Sequence, residues 1–257
     1  GFYLYEQGYL TDYDIGWYLA GANFSDVAAM GALPIALLSV VRYPRDMPDL
    51  NFQEIIRGIS ESCRAVAAFN VGGDIGSAET VILSASALGL VEPDLLLQRS
   101  GARPGDLLCL SGATGLAGAA MKLARAGILE DIDEAARVTL LERWRRVRAR
   151  VPHGRALATS GAATACIDTS DGLKAAVETL SRSSALRIVV ERERVPVAPE
   201  VALAAKALGV AAEELVFGDS VDFELVASVR PESLARLRDR LEPDGLTLHV
   251  IGYCEEG

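Results

Sequence analysis

Residues 163–173 read ATACIDTSDGL, an apolar run that passes directly into two aspartates and a glycine. The residues Ala163–Ile167 predict a short buried strand, and a helix is expected after Gly172, to about Ser181. A strand that ends at carboxylates and leads at once into a helix is typical of proteins in which strands and helices alternate. This junction therefore predicts an α/β fold.

The alternation continues in both directions along the chain. In the first part of the chain we expect a helix from Thr11 or Asp12 to about Met30, a strand over Pro34–Tyr43 and a helix from Asp49 or Asn51 to about Ala68. A short apolar segment from Phe69 should end at Gly72-Gly73-Asp74, and strands are expected over Thr80–Val91 and Leu107–Leu110. A helix should follow the turn Ser111–Gly115, and one further helix should run from about Ile132 to Arg150. After it we expect strands at Arg187–Val190, Phe223–Ala227 and Leu246–Tyr253, with helices at Pro199–Leu208 and Pro231–Leu241.

A polar segment rich in glycine and proline, Glu92–Asp106, is the best candidate for a domain boundary. The 257 residues suffice for two modest domains. We therefore predict two domains, residues 1–96 and 97–257, in an α/β fold of the α+β type.

Charge and composition exclude several classes of function. The formal net charge is -10, whereas a protein that binds duplex nucleic acid usually presents a basic face. The one basic cluster, Arg143–Arg150, is interpreted as a solvated helix face. Four scattered cysteines suggest reduced core residues in a cytoplasmic protein. The longest uncharged apolar run, Val27–Val41, contains a proline and is too short to span a membrane.

Four acidic motifs are the candidates for chemistry. They are Asn23–Asp26, Gly72–Asp74, Asp168–Gly172 and Gly218–Glu224. Each aspartate alone can be explained as a helix cap or turn residue. Asp26 is the exception, because it lies within a helix on a face otherwise made of Ala, Gly and Met, where a buried carboxylate is costly unless it is paired or binds a cation.

Carboxylates at the ends of strands suit Mg²⁺, which binds through one or two carboxylates together with substrate phosphates. Phosphoryl transfer requires positioning and charge neutralisation more than a covalent catalyst. The sequence has no P-loop motif and no protein-kinase motif set. The turn Ser111–Gly115, which contains Gly112, is compatible with a phosphate cradle and equally with a plain tight turn.

These motifs together resemble those of the thiamine-monophosphate kinases. Residues 23–34 are similar to the family's N-L-S-D-I-A-A-M-G-A-x-P, and residues 72–74 to its G-G-D. Residues 99–106 resemble R-x-G-A-x-P-G-D, and residues 167–173 resemble I-D-x-S-D-G-L. Four motifs in this order also identify the wider superfamily that includes aminoimidazole ribonucleotide synthetase, selenophosphate synthetase and the hydrogenase-maturation dehydratase.

The resemblance implies a two-domain fold of the aminoimidazole ribonucleotide synthetase type, with a homodimer formed through the N-terminal sheet and an ATP site between the domains. It implies an enzyme that transfers the γ-phosphate of ATP to thiamine monophosphate. By position it implies catalytic roles for Asp26 and Asp171, a Mg²⁺ site at Asp26, Asp74, Asp168 and Asp171, contacts with the nucleotide from Arg99, Ser170, Gly73 and Gly112, and an acceptor pocket at Asp222, Phe223 and Glu224.

The sequence departs from the family pattern at three places. The family's upstream G-D-D motif is not among these residues, and the chain is expected to begin inside a strand-like stretch of an incomplete N-terminal domain. Val221 replaces an acidic residue of G-G-E-D-Y-E-L, and Ile75 replaces a small hydroxyl residue. Two alternatives therefore stand beside the kinase: an ATP-using relative with a different acceptor, and a non-catalytic homologue.

Overall fold

The computed structural model describes residues 2–257. Its α-helices are α1 Phe2–Glu6, α2 Asp12–Ala29, α3 Asp49–Ala65, α4 Leu116–Arg125, α5 Glu134–Arg145, α6 Val151–Thr159, α7 Leu173–Ser184, α8 Pro199–Leu208, α9 Ala212–Val216 and α10 Leu234–Leu241. Its strands are β1 Leu33–Tyr43, β2 Phe69–Ser77, β3 Ile82–Leu90, β4 Leu107–Leu110, β5 Ala163–Asp168, β6 Arg187–Val190, β7 Leu225–Val229 and β8 His249–Glu255.

The strands form two sheets. The first has the order β2-β1-β3, with β2 parallel and β3 antiparallel to β1. The second has the order β5-β7-β4-β8-β6, and every pairing within it is antiparallel. The mixture of helices and strands confirms the predicted fold class, while the boundary between residues 96 and 97 stays a prediction.

Helix α2 starts where the sequence predicts. The hydroxyl of Thr11 accepts a hydrogen bond from the backbone N–H of Asp14 (3.3 Å), and the Asp14 carboxylate accepts one from the N–H of Thr11 (2.9 Å). This capping box satisfies two of the free N–H groups at the start of the helix. Residues 2–6, by contrast, form helix α1, so the expectation of a strand-like start was wrong.

The predicted helix over residues 132–150 is in fact two helices. Helix α5 ends at Arg145, and α6 begins at Val151 with Pro152 in its first turn. Proline is tolerated there because its missing N–H would have no helical partner in any case. The break frees residues 146–150 from helical geometry, and it allows Arg150 to turn inwards. The short helix α9 was also missed.

Strand β2 does not end at the Gly72-Gly73-Asp74 motif, as the sequence suggested, but continues to Ser77. Both glycines have strongly positive φ, 135° and 140°. A Cβ atom on Gly73 would lie 1.7 Å from the carbonyl oxygen of Ser39, the residue that it pairs with on β1. The glycine is therefore required by close strand pairing, whatever else it does.

The core crosses from one half of the chain to the other. Its larger cluster contains Phe24 of α2, Leu37 of β1, Leu123 of α4 and Ile167 of β5. Helix α2 packs on α3 and β3 and also touches α5, α6 and β5. One helix thus holds the acidic motif at residues 23–26 against the strand that carries Asp168.

Among the helices of residues 2–257, none combines the length and apolar character needed to cross a membrane.

Candidate active site

The loop after β5 is tied directly to helix α2. Asp168, the last residue of β5, is buried, and its two carboxylate oxygens accept hydrogen bonds from different hydroxyls. Ser25 of α2 donates to Oδ2 at 2.6 Å, and Ser170 donates to Oδ1 at 2.9 Å. A buried carboxylate is tolerated when it is hydrogen-bonded in this way. Asp168 therefore fixes the loop of residues 168–171 against α2.

Asp26, next to Ser25, faces solvent. Its side chain is 63% exposed, so the expectation that it lies buried within the helix was wrong. Ala29 and Met30 beside it border a cavity, and Ala29 also packs into the smaller core cluster. An Arg99 nitrogen lies 3.9 Å from an Asp26 oxygen, which makes this a loose, exposed ion pair.

The pKa of Asp26 responds to its surroundings. Partial burial raises the pKa of Asp26, the negative charge of Asp168 and, more weakly, that of Asp171 raise it further, and Arg99 opposes them. The pKa is raised mainly because burial disfavours the charged form of Asp26, and the nearby like charges add to this effect. A bound cation would relieve this repulsion.

Two cavities flank the loop. One, of about 400 Å³, is bordered by Asp26, Arg99 and Asp168 on its polar side and by Met30 among its apolar residues. The other, of about 580 Å³, is bordered by Asp171 and further residues, namely Gly118, Met121, Lys122, Arg125, Trp144, Ser170, Ala175, Asp219, Ser220 and Val221. Both volumes fall in the range of small-molecule sites. The loop therefore presents Asp168 to one space and Asp171 to the other.

The four predicted metal ligands do not come together as one cluster. Within residues 2–257, no three His, Cys, Asp or Glu side chains lie close enough to hold an ion by themselves. Asp74 lies on β2, opposite Val40, and its carboxylate pairs with Arg42. Asp168 and Asp171 lie near enough to Asp26 for their charges to act on its pKa, so an ion such as Mg²⁺ bound here would have to take most of its oxygens from phosphates and water.

The predicted acceptor residues are buried. Asp222 accepts hydrogen bonds from the backbone N–H groups of Gly115 (2.6 Å) and Ala117 (3.0 Å), and it caps α4. Burial raises the pKa of Asp222 even though these donors oppose the shift. Phe223 is buried with a φ of 55°, and its ring meets that of Tyr18 edge-on at 5.8 Å.

Glu224 is completely buried and ion-paired. It accepts hydrogen bonds from Arg143 (3.1 Å), from Arg150 Nε (2.8 Å) and from the hydroxyl of Ser111 (2.5 Å). Burial alone would raise its pKa, but Arg150 and Arg143 outweigh burial and hold the pKa below its ordinary value. A Cβ atom on Gly112 would lie 2.8 Å from the Glu224 carboxyl group, so the backbone of Gly112 packs closely against this carboxylate and leaves no room for a side chain.

The basic cluster at residues 143–150 is therefore not a solvated helix face. Besides the two arginines that bind Glu224, Arg146 pairs with the buried Asp14, and Trp144 is buried. The signal in the sequence was the presence of Trp144 and Val147 among the arginines, because apolar residues inside a charge run place part of that run against the core. The hydrogen bond from Ser111 to Glu224 had no such signal in the sequence.

Comparison with known proteins matches both halves of the chain. Residues 3–91 match the N-terminal domain and residues 103–257 the C-terminal domain of the AIR synthase related proteins. The thiamine-monophosphate kinase of Pyrococcus abyssi is 31% identical over 251 residues, which are 97% of this chain and 74% of the relative. The enzyme of the same name from Halobacterium salinarum is 36% identical over 228 residues, 89% of this chain and 73% of the relative.

Solved structures agree. The structure of AaThiL complexed with AMPPCP and TMP superimposes with a TM-score of 0.84 at 27% identity, over 96% of this chain and 75% of that one. The resemblance of the acidic motifs is thereby confirmed over nearly the whole sequence. The chain belongs to the AIR synthase related proteins and, within them, to the thiamine-monophosphate kinase family.

Proposed function

We propose that this protein transfers the γ-phosphoryl group of ATP to thiamine monophosphate and so forms thiamine diphosphate. The observation that carries the proposal is the match over almost the whole chain to kinases of this name, one of which is solved with AMPPCP, an ATP analogue, and TMP. The open carboxylate loop between two cavities supports the same conclusion, because transfer between two bound phosphates needs charge control at the place where they meet.

The proposed roles follow the exposure of each group. Arg99 would contact a phosphate from the edge of the first cavity, where its guanidinium is exposed and only loosely paired with Asp26. Ser25 and Ser170 would hold Asp168 in place through their two hydrogen bonds. Asp26 and Asp171, with Asp168 behind them, would bind Mg²⁺, which when bound neutralises charge on the phosphates.

Calorimetry tests this proposal. An ATP analogue is titrated into the full chain with and without Mg²⁺, and thiamine monophosphate is then added to the same cell. We expect nucleotide binding that requires Mg²⁺, followed by binding of the acceptor. Nucleotide binding whose affinity does not depend on Mg²⁺ would contradict the proposed Mg²⁺ site at the carboxylates. Absence of any nucleotide binding would contradict the proposed activity.

A different acceptor is the second candidate, and Val221 is the observation that favours it. Val221 borders the same cavity as Asp171, where the family has an acidic residue, whereas Ile75 is exposed on β2 and does not border either cavity. A panel of small phosphorylated acceptors with ATP separates the two candidates. Turnover of another compound, with none on thiamine monophosphate, would favour the diverged enzyme.

We also propose that the protein is a cytoplasmic homodimer of two-domain chains, divided near residue 96. Free, buried cysteines support a reducing compartment. The three-stranded sheet supports dimerisation, because it exposes many large apolar residues, namely Leu33, Ile35, Leu38, Phe69, Val71, Ile75, Ile82, Leu88 and Leu90. In sedimentation experiments, Leu88→Glu should shift a dimer towards monomer, while an unchanged dimer would place the interface elsewhere.

A further inference from the structure

Residues 222–224, here called the anchored segment, link the candidate active site to helix α5 and to residues 146–150, which lie between α5 and α6. Asp222 holds the first turn of α4, and Phe223 packs against Tyr18 of α2. Tyr18 in turn stacks on Trp144 of α5, with ring centroids 5.6 Å apart. The segment is therefore fixed by several elements before the contacts of Glu224 are considered.

The Glu224 carboxylate receives its charge partners from both sides of the break between α5 and α6. Arg143 donates from the last turns of α5, and Arg150 donates from the residue before α6. Ser111 completes the set, and its hydroxyl also accepts a hydrogen bond from the N–H of Leu225 at 2.8 Å. Because both arginine side chains are only about a quarter exposed, solvent weakens these ion pairs less than it would at a surface.

The Glu224 backbone is bonded to the loop of residues 168–171. Its N–H donates to the Thr169 hydroxyl at 3.0 Å, and its carbonyl oxygen accepts from the Thr169 N–H at 2.8 Å. Thr169 is fully buried and lies between Asp168 and Ser170. A displacement of Glu224 is therefore transmitted to the residues that carry the carboxylates.

We propose that Glu224 is a positioning residue: Arg143 and Arg150 clamp its carboxylate, its backbone holds Thr169, and Thr169 sets the orientation of Asp168 and Asp171. This gives Glu224 a role other than the acceptor contact that the resemblance implies, and its kinetic consequence rests on the proposed function. Misplacement of reacting groups by about 1 Å can reduce a rate by about 100-fold.

The test uses Thr169→Val and Glu224→Gln in the full chain. Valine keeps the shape of threonine but cannot accept the Glu224 N–H, and glutamine keeps the shape of glutamate but lacks the charge that the arginines need. For both we expect kcat to fall at least about 10-fold, with KM for thiamine monophosphate changed less than about 2-fold. Hydrogen exchange of the amides of residues 169–172 should become faster.

Two further variants serve as controls. Thr169→Ser keeps the hydroxyl and should restore kcat to near the wild-type value. Asp106→Asn alters another buried carboxylate, which accepts hydrogen bonds from the backbone N–H of Arg103 and the hydroxyl of Thr164, both outside residues 168–171, so it should leave the exchange of residues 169–172 unchanged.

Several results would overturn the proposal. A raised KM for the acceptor with unchanged kcat would make Glu224 a substrate contact. Loss of activity in Thr169→Ser equal to that in Thr169→Val, or unchanged loop exchange in both main variants, would remove the positioning role. If the wild type transfers no phosphate to thiamine monophosphate, the proposed function fails, but the exchange measurement still decides whether Glu224 positions the loop.

Discussion

Two acidic segments that look alike in the sequence have different environments in the structure. The loop of residues 168–171 lies between two cavities, whereas the anchored segment, residues 222–224, is buried and has internal partners for its carboxylates. The first can receive a ligand, and the second stabilises the surroundings of the first. Acidic residues in a sequence therefore identify candidates, and their partners decide which of them are free to bind.

The largest expected effect is on the stability supplied by the anchored segment. Glu224→Ala leaves Arg143 and Arg150 without their buried partner, so the free energy of unfolding should fall by about 3–5 kcal/mol. Urea denaturation monitored by circular dichroism measures this loss. A loss below about 1 kcal/mol would show that the ion pairs of Glu224 with Arg143 and Arg150 do not stabilise the fold. The anchored segment would then not differ from the loop of residues 168–171 in the way described above.

For the loop of residues 168–171 we expect a large effect of substitution on turnover and a small effect on stability. Asp171→Asn should lower turnover by about 100-fold, the size of effect found when one charge-stabilising group is removed from an active site. Because Asp171 is exposed, the free energy of unfolding should change by less than about 0.5 kcal/mol. Asp94→Asn, at an exposed residue that lines neither cavity, is the matched control. Unchanged turnover in Asp171→Asn would show that Asp171 has only a structural role in the turn before α7.

A smaller effect is expected at Asp222. Asp222→Ala removes the cap from the first turn of α4 and should cost about 1–2 kcal/mol of unfolding free energy. Asp222→Asn should cost less, because asparagine also caps helices and burial already disfavours the charged form of Asp222. Thermal unfolding of the two variants provides the test. Equal losses in both would show that the negative charge of Asp222 is required.

The smallest effect concerns pH and Asp26. Because the pKa of Asp26 is raised in the folded protein, the folded state binds more protons than the unfolded state between the two pKa values. Stability contributed by this group is therefore present at pH below the unfolded pKa and is lost as pH rises through the folded pKa. Asp26→Asn should make the protein slightly more stable at pH 7, by about 0.5 kcal/mol or less since the site is exposed.

Acid titration provides the check on this assignment. The advantage of Asp26→Asn should shrink as pH falls through the raised pKa of Asp26, because the wild-type carboxyl group then becomes protonated. A variant that is less stable than the wild type at pH 7 would show that Asp26 makes a favourable contact in the folded state that outweighs burial and the like charges of Asp168 and Asp171.

Local patterns in the sequence were sufficient for much of the fold. A capping residue at Thr11 or Asp12 placed the start of α2, and the branched residues of 34–43 placed β1. The junction at Asp168 was likewise predicted correctly, because a short apolar run followed by polar residues and glycine has few other interpretations. The family match depends on the same local motifs.

What the sequence did not reveal depends on distant contacts. The break between α5 and α6 accompanies contacts of Arg143 and Arg150 with Glu224, a partner more than 70 residues away. The exposure of Asp26 follows from the cavity that opens beside α2. The extension of β2 through Asp74 depends on its pairing with β1. Periodicity along a chain carries no information on such neighbours.

One measurement tests the central claim most directly. The full chain is incubated with γ-³²P-labelled ATP, Mg²⁺ and thiamine monophosphate, and the labelled products are separated. We expect the label in thiamine diphosphate, with one ADP formed for each thiamine diphosphate, and no transfer in Asp171→Asn above about 1% of the wild-type rate. Label released only as inorganic phosphate, or found only in a different acceptor, would contradict the assignment of this chain as a thiamine-monophosphate kinase.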